Sequence, residues 1–141
     1  MGIKIKKITF LKAQKMADKA FSLYVRARAK NKCELKHLNF KLPDIIIPFR
    51  CSGVLQCCHK YSRKYKSIRY DLRNVYCGCA SGNTWANYNP IEWYVLWREM
   101  WKDDVEYLDR AKKMLCHRKT SDLLTIAKYY EQEYNKLKEI K

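Results

Sequence analysis

From Cys33 to Tyr76 the chain abandons the helical periodicity that governs it on either side, and that interruption restricts it to a mixed architecture. Pro43 and Pro48 break any helix in this stretch, Ile45, Ile46 and Ile47 favour extended backbone, and Ser52-Gly53 predicts a turn ahead of Val54 to Cys58. Two short strands around a loop are expected there. Upstream, Phe10, Ala13, Ala17, Ala20, Phe21, Tyr24 and Val25 recur at helical spacing to about Asn31, with Lys12, Lys15, Lys19 and Arg26 mostly on the other face. Downstream, Asn89-Pro90-Ile91-Glu92 reads as an N-cap, a first-turn proline and a capping-box acid before Trp93, Leu96 and Trp97. Val105, Leu108, Ala111 and Leu115 form a further helical stripe, and Thr120-Ser121-Asp122 offers a cap for a last helix through Leu137. The expected fold class is α+β: a short two-stranded hairpin plus helix, flanked by N-terminal and C-terminal helices.

With 141 residues, no repeat and no long linker, a single domain is the simplest division: a basic helix over 8–31, a ββα core over 33–89 and helices over 90–141. Thirty Lys and Arg against fourteen Asp and Glu leave a net charge of +16, which repels itself unless a polyanion is the partner. DNA is the natural candidate, although basic protein-interaction modules share this charge. No apolar run approaches the roughly twenty residues of a membrane helix. The opening Met-Gly-Ile-Lys-Ile-Lys-Lys lacks the apolar centre of an export signal, so a cytoplasmic protein without membrane association is expected. Seven cysteines are an odd number, and in that compartment reduced thiols, free or on a metal, are expected rather than a disulfide framework.

The chemistry is concentrated in Cys57-Cys58-His59-Lys60-Tyr61-Ser62-Arg63, Arg69-Tyr70-Asp71-Leu72-Arg73-Asn74-Val75 and Cys79-Ala80-Ser81-Gly82-Asn83. A histidine ends a predicted strand, an asparagine follows fifteen residues later across a loop, and a second asparagine stands where a helix begins. Phosphodiester hydrolysis needs a base, a cation and rigid positioning. The imidazole of His59 suits the base, since its ordinary pKa of about 6.5 lies near neutrality. A hard divalent ion, Mg2+ or Mn2+, prefers oxygen ligands such as the Asn83 amide. Asn74 can bond loop backbone through both its amide donor and its acceptor, holding the imidazole in place. Lys60, Arg63, Lys64, Arg69 and Arg73 surround the base in sequence and are expected to contact DNA phosphates.

These segments resemble the NinG (Rap) recombination-nuclease family of tailed phages, whose members are HNH, or ββα-metal, nucleases. His59, Ser62, Arg63, Arg69, Tyr70, Asp71, Asn74, Val75, Cys79, Asn83 and Asn89 match that family's motifs, and the basic helix and Cys33 precede them in similar order. The resemblance implies an endonuclease acting on branched or single-stranded DNA in phage recombination. His59 would be its base and Asn83 would stand at the metal; recombination proteins or a second copy of the chain would be its protein partners. Family members carry an acidic residue three positions before the histidine and glycine just before it; Gln56 and Cys58 stand here, so Gln56 is the residue left to meet the catalytic ion. The family's structural zinc sits on two Cys-x-x-Cys knuckles, whose second cysteines are replaced by Lys36 and Gly82. Cys51 and Cys77 are additional, so Cys33, Cys51, Cys77 and Cys79 are the thiols from which a rearranged zinc site would be built, because zinc takes four N or S ligands.

Plainer roles stand beside these. Asn74 and Asn83 are also ordinary turn and cap residues. His37 and His117 read as idle, Cys58 and Cys116 as small buried side chains, and Trp93, Trp97 and Trp101, four apart, as a core stripe rather than a base-stacking platform. A DNA-binding relative that has lost catalysis is the main rival to the nuclease.

Overall fold

The computed structural model describes residues 6–36 and 47–140. His37 and the Ile45-Ile46 pair lie outside those residues. No helix among the described residues is long and apolar enough to cross a membrane. The chain divides into two compact units, one of residues 1–24 and 117–141, the other of residues 25–116.

The first unit pairs two helices. Helix α1 (Phe10–Arg28) buries Ala13, Ala17 and Phe21 at four-residue intervals, so most of the apolar stripe expected from the sequence packs, whereas Phe10 at its start is exposed. Its last turn belongs to the second unit and is followed by Lys30 and Asn31 at positive φ, which stops the helix short of Asn31. A second helix of this unit (Thr120–Glu139), α5 in chain order, buries Leu123 and Ala127, and its Tyr130 ring meets Phe21 edge to face at 4.8 Å. Asp122 acts as its capping acid, accepting from the Lys119 N–H at 2.6 Å.

The second unit is built on an antiparallel pair, β1 (Leu55–His59) and β2 (Val75–Cys79), with Leu55 opposite Cys79, Cys57 opposite Cys77 and His59 opposite Val75. Between the strands run two 3-10 turns, Lys66–Ile68 and Leu72–Asn74. Helix α2 (Ala80–Tyr88) leaves β2 directly, and α3 (Pro90–Met100) and α4 (Lys102–Ala111) follow. Trp93 and Trp97 are buried, and Tyr76 from β2 stacks obliquely on Trp93 and Trp101. The tryptophan stripe is therefore core.

Two local expectations are corrected. Helix α3 starts at Pro90, but Asn89 does not cap it; its Nδ2 donates backwards to the Trp85 carbonyl at 2.9 Å and closes α2 instead. Leu115 is no part of the α4 stripe, since that helix ends at Ala111 and Leu115 stands almost fully exposed.

Candidate functional site

Asn74 is fully buried at the end of the second 3-10 turn. Its Oδ1 accepts from the Tyr61 N–H at 2.8 Å, and its Nδ2 donates to the carbonyls of Tyr61 at 3.0 Å and Ile68 at 3.2 Å. Its own carbonyl accepts from the Lys60 N–H at 2.7 Å. One side chain thereby satisfies three backbone groups and ties both halves of the loop together, which a side chain without both donor and acceptor could not do.

That loop presents a carbonyl to the base candidate. The Arg69 oxygen lies 2.9 Å from His59 Nε2. A carbonyl only accepts, so Nε2 carries the hydrogen and the neutral ring holds its lone pair on Nδ1. Asp71 secures the far side of the loop: its Oδ1 accepts from the Arg73 N–H at 2.9 Å, and its other oxygen accepts from the Tyr107 hydroxyl.

Asn83 lies in the first turns of α2, and its Nδ2 donates to Gln56 Oε1 at 3.1 Å. His59 and Asn83 line the same open cleft, about 440 Å3 in volume, together with Lys64, Tyr65, Asn87 and Tyr94. The histidine and the later amide, twenty-four residues apart, are thus brought to one cavity. Asn74 stands behind the cavity wall rather than in it.

The loop cations divide. Arg63, Lys64 and Arg73 are exposed, and the Arg73 guanidinium lies 4.1 Å from the Tyr107 ring centre. Arg69 is half-buried, 5.8 Å from the Tyr70 ring centre. Lys60, grouped by its sequence position with the DNA contacts, is instead a buried strut: its side chain is 2 % exposed, and Nζ donates to the Arg73 carbonyl at 2.7 Å and Asp104 at 3.4 Å. The ammonium also lies 4.4 Å from the Trp101 ring centre. Burial lowers its pKa to about 8, against the opposing pull of Asp104. The cause of the correction is a fold-level one, because α4 brings Asp104 to a residue forty-four positions earlier.

Sequence spacing also missed a polar network at the cleft. Arg98 donates from Nη1 and Nη2 to the two oxygens of Asp109, each at 2.8 Å, and Tyr61 donates to the same carboxylate. The Arg98 guanidinium holds the Asp109 carboxyl down to about 2 despite partial burial. Lys112 Nζ sits 4.3 Å from the Tyr61 ring centre and lines the cleft. Nothing in the spacing of Tyr61, Arg98 and Asp109 could have announced that they meet.

A second cluster lies at the other end of the hairpin. The sulfurs of Cys33, Cys51 and Cys79 lie within 4.8 Å of one another, a group able to hold a metal ion. Cys77 is not in it, which corrects the four-thiol set: it belongs to a strand position opposite Cys57, whereas Cys79 ends the strand and caps α2. Burial works to raise the Cys79 thiol, but polar contacts with Ser81 Oγ at 3.3 Å and with the backbone N–H groups of Ser52 and Gly82 outweigh it and bring the pKa to about 7. Burial pushes Cys33 up to about 12. Three cysteine sulfurs this close are the donor chemistry of a soft or borderline metal. A Cβ at Gly82 would come within 2.7 Å of the Phe49 ring. The segment carrying Phe49 and Cys51 therefore packs directly against Gly82.

No family model, curated protein or solved structure matches the chain.

Proposed function

We propose that the chain is an HNH-type endonuclease that hydrolyses DNA phosphodiesters with one divalent ion, acting on branched or single-stranded DNA. The observation that carries the reading is that His59 and Asn83 line one cleft while the His59 ring is held by a loop carbonyl. His59 Nδ1 takes the proton of the attacking water, and the Arg69 carbonyl steadies the imidazolium that results through the Nε2–H. Mg2+ or Mn2+, when bound, offsets the charge that develops on the phosphorane and the leaving oxygen. Asn83 and Gln56 offer it amide oxygens; both are neutral, so water and substrate oxygens would complete its shell. Arg63, Lys64 and Lys112, along the loop and the cleft, meet the phosphates of the strand. Cys33, Cys51 and Cys79 would hold a structural zinc ion at the end of the hairpin.

The same neutral pair favours a second reading. Asn83 donates to Gln56, and no carboxylate is among the described residues that line the cleft, so a DNA-binding protein without cleavage also fits. Incubation with supercoiled, branched and single-stranded DNA in Mg2+ or Mn2+ separates the two. Nicking lost in His59→Ala with DNA binding retained supports the nuclease; binding without cutting in either metal supports the second reading.

A further inference from the structure

The cross-strand position that removes Cys77 from the metal group places it against another thiol. Antiparallel partners alternate between pairs that exchange backbone hydrogen bonds and pairs that do not, the latter with Cα atoms only about 4.5 Å apart. Lys60 N–H donates to the Asn74 carbonyl at one end of the ladder and Ala80 N–H to the Val54 carbonyl at the other. Both are bonded pairs, and counting inwards from either end makes Cys57 and Cys77 a non-bonded, close pair. The Cys77 N–H agrees, since it points away from β1 and donates to Glu34 Oε2 at 2.6 Å. Side chains of such a pair leave the same face of the hairpin, at a Cα separation inside the roughly 4.4–6.8 Å span of disulfides.

We propose that Cys57 and Cys77 are an oxidation site that closes to a disulfide under a hydroperoxide, separate from Cys33, Cys51 and Cys79. Cys57 is half-buried and Cys77 fully buried, so the oxidant reaches Cys57 first. Its thiolate attacks the peroxide oxygen, the O–O bond breaks, and the departing hydroxide takes up the released proton as water. Cys77 sulfur then attacks the sulfenic sulfur, its proton leaves with the sulfenic hydroxyl as a second water, and the S–S bond forms. Two thiols are oxidised by two electrons and one peroxide is reduced. Burial holds the Cys57 thiol above the usual range, so closure is slow. Cys58 is no competitor on this ladder, because Tyr76 stands opposite it. The bridge would span the loop that joins the two strands.

The test is hydrogen peroxide treatment of the full, unsubstituted chain in the presence of zinc, then alkylation, non-reducing digestion and mass spectrometry. A linked peptide pair containing Cys57 and Cys77, with a melting temperature raised by about 5–10 °C, is expected. The link is expected to vanish in Cys57→Ser and in Cys77→Ser. Thiols at 57 and 77 that both stay alkylatable, or bridges that map to Cys33, Cys51 or Cys79 instead, would overturn the proposal. A bridge that lowers the melting temperature would equally overturn it, since the pair would then not have been poised.

Discussion

The Asn74 carboxamide brackets Tyr61, accepting from its N–H at 2.8 Å and donating to its carbonyl at 3.0 Å. This pairing holds the two-residue step after His59 in a fixed relation to the end of the loop. It predicts that Asn74→Ala leaves buried Tyr61 and Ile68 backbone groups without partners and costs about 3 kcal/mol or more in urea unfolding. Asn74→Asp is expected to be no better, because a carboxylate cannot donate to the two carbonyls. Unchanged protection of the Tyr61 amide from hydrogen exchange in either variant would contradict this account.

Lys60 has a folded pKa of about 8, below its ordinary 10.5. Between those values the unfolded chain keeps the proton that the folded chain has released, so this group makes stability rise with pH across that window, by at most about 1.4 kcal/mol per pH unit. Lys60→Met removes that rise. The difference in unfolding free energy between the parent and the variant, followed from pH 8 to about 10.5, should therefore slope; parallel curves would show that the ammonium is not desolvated.

Gly82→Ala places a methyl group within 2.7 Å of the Phe49 ring and 3.3 Å of Cys79 Sγ. A loss of about 1–3 kcal/mol is expected from overpacking. Phe49→Leu in the same chain should recover part of that loss, and a failure of the double variant to recover would place the strain elsewhere.

Cys51→Ser is expected to abolish stoichiometric zinc and lower the melting temperature to that of the chelator-treated parent, whereas Cys77→Ser should keep its metal. Elemental analysis of untagged protein reads both. Zinc lost from both variants would restore the four-thiol set, and zinc retained by Cys51→Ser would overturn the three-thiol group.

The helical stripes and the strand–loop–strand interruption were legible in the sequence because periodicity is a local property. Ala13, Ala17 and Phe21 are buried as spaced, and the hairpin lies where the prolines and isoleucines gave way to Val54–Cys58. The contribution of Asn74 was also readable, since few side chains can bond backbone on both sides of a loop. Which thiols meet and which cation is buried were decided only by tertiary structure. Cys51 meets Cys33 and Cys79 while Cys77 stays on the strand opposite Cys57, and Lys60 turns inward because α4 returns with Asp104. Such outcomes depend on contacts between residues many positions apart, and spacing along a chain carries no record of which distant groups the packing will bring to the same place.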